Sequence, residues 1–154
     1  MKSAIHSLLA VLVFTLSHVQ ADEVSDFLQL DPLPDGIVFE IVEAGEEALE
    51  ELLPKVRSII ERIRSKQPDI EFAVVSHGRE EFALQTRYQD QYSEIHNSVL
   101  SLVKSDVPVF VCETHAGWYG VTAEDFPNYV SVAPTGPGQI SLYEDMGYHL
   151  IVIE

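Results

Sequence analysis

The pattern "VCETH", residues 111–115, places the chain's one cysteine three residues before a histidine. Cys112 is a nucleophile and a soft ligand. His115 can hold or accept a proton near neutral pH, and a histidine further upstream, His77, follows an apolar run ending in Ser76. Three chemistries fit this set. Cys112 can react as a thiolate, with His115 and His77 as candidate supporting groups and Glu113 adding negative charge beside it. Cys112, His115 and His77 are also of the types that bind zinc or copper. A Cys-x-x-His spacing is only half of a metal site, however, and no second pair accompanies it, so no metal is expected. The third reading is a packed, inert core thiol. Trp118 and Tyr119 follow closely and are candidates to wall a pocket or to cover an interface between subunits.

The elements that must position these residues alternate along the chain. Runs rich in β-branched and aromatic residues at Ile37–Glu43, Ile70–Ser76, Val107–Glu113, Tyr129–Pro134 and Tyr148–Glu154 predict five strands. Helical spacing of Leu49, Leu52, Leu53, Val56, Ile59, Ile60 and Ile63 predicts a first long helix. Pro54 is expected at its first position, after a short helical turn, because proline damages a helix interior. A second helix carries Ile95, Val99, Leu102 and Val103 on one face. A third, within "GQISLYEDMG", stops at Gly147. "HGREE", from His77, reads as a turn, His96 as a surface residue, and His149 as a satisfied core or edge residue. Strands with little polar alternation, separated by helices, predict a three-layer α/β/α domain with a mainly parallel five-stranded sheet. Sites in such sheets form beyond the carboxyl ends of the strands, where His77, Cys112 and His115 fall.

Composition narrows the function. The chain has 154 residues, 25 acids against 9 Lys and Arg, and a formal charge of −16. Such a surface repels phosphate backbones and anionic lipid, so neither nucleic acid nor a membrane surface is an expected partner. "PTGPGQ", Pro134–Gln139, lacks the lysine and spacing of a phosphate loop, and no cofactor motif is found. The acidic stretch "EAGEEALEE" reads as a solvated helix face. A basic start, the apolar run "AIHSLLAVLVFTLS" and the small residues before Asp22 read as a signal peptide over residues 1–21. An acidic, proline-containing lead-in over 22–35 and one domain over 36–154 follow. The expected location is exported, periplasmic or secreted, and a single cysteine there cannot form an internal disulfide.

The order of "VVSHG" (74–78), "VPVFVCETH" (107–115), "VTAEDF" (121–126) and "VSVAPTGPGQISLYEDMGYHLI" (130–151) resembles the DsrE/DsrF-like sulfur-relay family over Gly36 to Glu154. The resemblance implies a three-layer α/β fold and a homo-oligomer. It also implies that Cys112 carries sulfane sulfur as a persulfide and exchanges it with a donor or acceptor protein, as a sulfur carrier or sulfurtransferase. The relays known in that family are cytoplasmic, whereas this chain reads as exported, so the partner is left open. The alternative is a non-catalytic small-ligand-binding or assembly module in which Cys112 is packed, with a Cys/His metal-binding protein third. The cleavage expectation has a direct check. N-terminal sequencing of the exported protein should begin at Asp22, and retention of Met1 on a membrane-bound form would refute it.

Overall fold

The computed structural model describes residues 24–154; the expected signal peptide lies outside them. Five strands, β1 (Gly36–Ile41), β2 (Glu71–Ser76), β3 (Val109–Cys112), β4 (Ser131–Ala133) and β5 (Tyr148–Ile153), form one sheet in the order β4-β3-β2-β1-β5. Every pairing is parallel. Parallel neighbours need crossovers, and right-handed crossovers fix where the helices go. The chain steps in one direction from β1 to β4, so α1 (Leu49–Arg64) and α2 (Ser93–Val103) share one face. It then reverses past β1 to reach β5, which puts α4 (Gly136–Asp145) on the other face. A short α3 (Glu113–Trp118) follows β3 directly.

Both faces are apolar, which is why the strands lack alternation. Ile37, Phe39, Ile41, Phe72, Val74, Val109 and Val111 pack against α1 and α2 in the larger core. Val38, Ala73 and Val75 meet Ile140 of α4 in the smaller one, with Phe110, Tyr143, Tyr148 and Leu150 half-buried around it. Gly147 takes φ 90° just past α4, the left-handed conformation that lets the chain turn into β5.

Two expectations about elements are corrected. Pro54 lies inside α1 and does not begin it. Leu49, Leu52 and Leu53, all at or before that proline, are buried. Each fully buried leucine contributes ~1.5–3 kcal/mol. Together they outweigh the ~3 kcal/mol cost of an interior proline, whose ring faces solvent. "HGREE" is more than a turn. It opens a 3-10 helix, Arg79–Leu84, whose residues Glu80 to Leu84 are all buried.

That segment fastens the carboxyl edge of the sheet. The Glu80 carboxyl accepts hydrogen bonds from Ser76 Oγ at 2.8 Å, Gly78 N at 2.9 Å and Glu43 N at 2.7 Å. It therefore ties the end of β2 to the chain leaving β1, and a fully buried carboxyl is tolerable because donors meet both its oxygens. Gly78 is required for this arrangement. A Cβ there would lie 2.6 Å from Glu43 N and 2.7 Å from Glu43 O, and against the Glu80 carboxyl. Gly78→Ala should therefore cost roughly 2–4 kcal/mol through overpacking and lost hydrogen bonds to Glu80. Urea unfolding at neutral pH measures it, and a change below about 0.5 kcal/mol, the usual range for an uninvolved surface position, would show that Glu80 is not a fastening.

Candidate functional site around Cys112

Successive residues of a 3-10 helix point about a third of a turn apart. So while Glu80 faces β1 and β2, the next side chain, Glu81, faces β3. Glu81 is fully buried. Its Oε2 accepts from the backbone N–H of Cys112 at 2.7 Å, and its Oε1 lies 2.7 Å from His115 Nδ1. Cys112 is the residue from which α3 starts, and its Sγ accepts from the backbone N–H of His115 at 3.3 Å. Thr114 anchors the same turn to the end of β4, donating from Oγ1 to Pro134 O at 2.7 Å. Cys112, His115 and Glu81 thus form one closed unit. Its carboxyl comes from the segment after β2, and its thiol and imidazole from the β3–α3 junction.

Burial pushes the Glu81 carboxyl up to about 7 from an ordinary 4.5. The hydrogen bonds from Cys112 and His115 work against that rise, and the neighbouring Glu80 charge adds to it. The consequence is chemical. With Glu81 ionised, Nδ1 of His115 must donate, and in the neutral ring Nε2 is then free to accept. With Glu81 protonated, its O–H can donate to Nδ1 and a neutral ring carries its proton on Nε2. Near pH 7 the pair can therefore take up or release a proton close to the sulfur.

Aromatic rings hold the imidazole in place. Phe82 stacks on it at 5.4 Å between centroids, and Tyr119 and Trp118 meet it edge-on at 5.3 and 5.7 Å. The ring is mostly covered, with 14% of the side chain exposed. Tyr119 is 54% exposed and Trp118 74% exposed. Of these two pocket candidates, Tyr119 lines a neighbouring cleft with Phe82.

The other candidates separate. Cys112 lies at the strand end, as its position in the sequence predicts, but is only 4% exposed. Glu113 is exposed on the first turn of α3. His77 turns away from the thiol in its polar contact: its Nε2 pairs with Glu40 Oε1 of β1 at 2.7 Å. A Cβ on Gly136 would collide with the His77 ring, so the two pack tightly. Among the described residues, no group of three or more His, Cys, Asp or Glu is placed to hold a metal ion. His96 is buried, not on the surface; it bonds Tyr129 Oη at 2.6 Å and Ala83 O at 3.0 Å. Glu81 is the functional candidate that the sequence reading missed. Two adjacent acids opposite a strand-end thiol were the available signal, hidden among 25 acids.

No family model and no curated protein matches the sequence. Among solved structures, the chain is similar to a protein of unknown function, MTH1491, from Methanobacterium thermoautotrophicum. The two are 23% identical with a TM-score of 0.61, over 75% of this chain and 96% of that one. A second protein of unknown function, BT1422 from Bacteroides thetaiotaomicron, aligns at 12% identity and a TM-score of 0.48, over 75% of this chain and 94% of that one. The first similarity supports the three-layer α/β/α fold. No helix among the described residues is long and apolar enough to cross a membrane.

The raised Glu81 value makes a prediction about stability. The unfolded state loses this proton near pH 4.5, whereas the folded state keeps it until about pH 7. The folded state thus binds more protons in that window, and this group's contribution to stability falls as pH rises through it, then levels. Glu81→Gln keeps the shape and cannot ionise. Denaturant unfolding from pH 4 to 8 should show a decline in the wild type, at most on the order of 3 kcal/mol, that is absent in Glu81→Gln. Parallel profiles would refute the assignment.

Proposed function

We propose that this protein binds and relays sulfane sulfur through Cys112, with the Glu81–His115 pair managing the proton. One observation carries the reading: a single buried carboxyl holds both the backbone N–H of Cys112 and the ring of His115, and the backbone N–H of His115 donates to Sγ. A hydrogen bond to sulfur strengthens as the sulfur gains charge, and a carboxyl titrating near 7 beside an imidazole suits proton transfer at neutral pH. In the step proposed, the Cys112 thiolate attacks the terminal sulfur of a donor persulfide R–S–SH. The new S–S bond forms at Cys112, the donor S–S bond breaks, and the departing R–S⁻ takes up the proton that Cys112 gave. No net oxidation occurs, and the reverse reaction delivers the sulfur to an acceptor thiol. The low exposure of Cys112 suits a persulfide, which is lost when water and stray thiols reach it.

Intact-mass measurement after polysulfide treatment tests the reading. The wild type should gain one sulfur atom per chain under native conditions, removable by a reducing thiol, and Cys112→Ser should gain none. His115→Ala should load more slowly, by about a hundredfold or more, the range for loss of a positioned acid–base group. An unmodified wild-type mass would favour the alternative, a packed thiol in a binding or assembly module.

A further inference from the structure

A cleft shares two of the aromatic rings that hold His115. Phe82 and Tyr119, which pack on the imidazole, also line this cleft of about 160 Å³. Gln85, at the end of the 3-10 helix, lines it too and is 2% exposed. Its Nε2 donates to Phe82 O at 3.1 Å, which fixes the orientation of the amide. Its Oε1 is buried and has no hydrogen-bonding partner, the one such side-chain atom among the described residues. A buried amide oxygen without a donor is costly, and Gln85 is among the residues that line the cleft, which points to a ligand that supplies one.

Charged side chains of both signs line the same cleft. Arg79 and Arg87 both line the cleft, in a protein with 9 cationic side chains against 25 acids. Each guanidinium lies over a tyrosine ring, Arg79 over Tyr119 at 5.5 Å and Arg87 over Tyr88 at 4.8 Å. Stacking of this kind holds the planar fork while leaving its edge N–H groups for a carboxylate. Glu46 sits at the same cleft, with Oε1 3.7 Å from Arg79. The cleft therefore offers cationic donors, a neutral acceptor and an anionic acceptor between apolar walls completed by Val121. Its volume falls below that of pockets built for drug-sized ligands.

We propose that this cleft binds a small free amino acid with an apolar side chain. Arg79 and Arg87 take the carboxylate. Gln85 Oε1 and Glu46 take the ammonium, and Phe82, Val121 and the tyrosine rings take the side chain. The proposal does not rest on sulfur transfer at Cys112. Because Phe82 and Tyr119 are shared, the His115 ring senses occupancy.

The test is an NMR titration of the chain from Asp22, the expected mature start, following the His115 ring resonances, with calorimetry alongside. L-Valine should bind saturably and shift His115. Isovalerate, which lacks the amine, and isobutylamine, which lacks the acid, should each bind at least about tenfold more weakly, the loss expected when charge-assisted hydrogen bonds are removed. Arg87→Gln should weaken L-valine by a similar factor. Arg87 is exposed, so this variant is expected to fold, and an unchanged amide spectrum away from the cleft would verify that. Cys112→Ser should bind L-valine as the wild type does, which separates this site from the sulfur chemistry. Absence of saturable binding, equal binding of all three probes, or an Arg87→Gln variant that binds L-valine unchanged would each overturn the proposal.

Discussion

Two adjacent buried carboxyls hold the carboxyl edge of this sheet together. Glu80 collects donors from Ser76, Gly78 and Glu43, and Glu81 collects Cys112 N–H and the His115 ring. Together they bind the ends of β1, β2 and β3 through one 3-10 turn. Burying such groups is tolerable only where every oxygen is met, and removing one partner leaves the full desolvation cost behind. The turn is accordingly packed against backbone so closely that Gly78 admits no Cβ. The position of the thiol follows from this fastening. Cys112 is held by its own N–H from one side and by the N–H of His115 on its sulfur from the other.

The fastening also links fold to chemistry. The same burial that makes Glu81 a structural clasp raises its affinity for a proton to the neutral range. A clasp that titrates near pH 7, bonded to an imidazole beside a thiol, is poised for acid–base work. The chain's acidity bears on what can approach it. A chain of formal charge −16 discourages close approach of polyanions, and the two arginines near Tyr88 and Tyr119 form a local exception.

Much of the architecture was legible in the sequence because it rests on local patterns. Apolar runs without alternation marked strands buried on both faces, and helical spacing marked α1, α2 and α4. The end of β3 at Cys112 was legible for the same reason. What escaped was set by tertiary packing. The segment after His77 carries Gly, Arg and two Glu, a composition that reads as a turn, and nothing local tells that both acids will meet buried N–H groups. The burial of His96 is equally hidden from the sequence, because its partners Tyr129 and Ala83 are distant in the chain or lie in the same turn. Pro54 was assigned to a helix start on local grounds, whereas burial of Leu49, Leu52 and Leu53 carries the helix through it.

The central claim is that the buried Glu81 proton is coupled to the reactivity of Cys112. Its most direct measurement is the rate of iodoacetamide modification of Cys112 in the native protein across pH 5 to 9, followed by mass. The account predicts labelling without denaturant and a wild-type profile that departs from a single ionisation curve near pH 7, because a coupled group titrates there. In Glu81→Gln the profile should follow a single curve. A cysteine modified only after unfolding, or wild-type and Glu81→Gln profiles that superimpose, would contradict it.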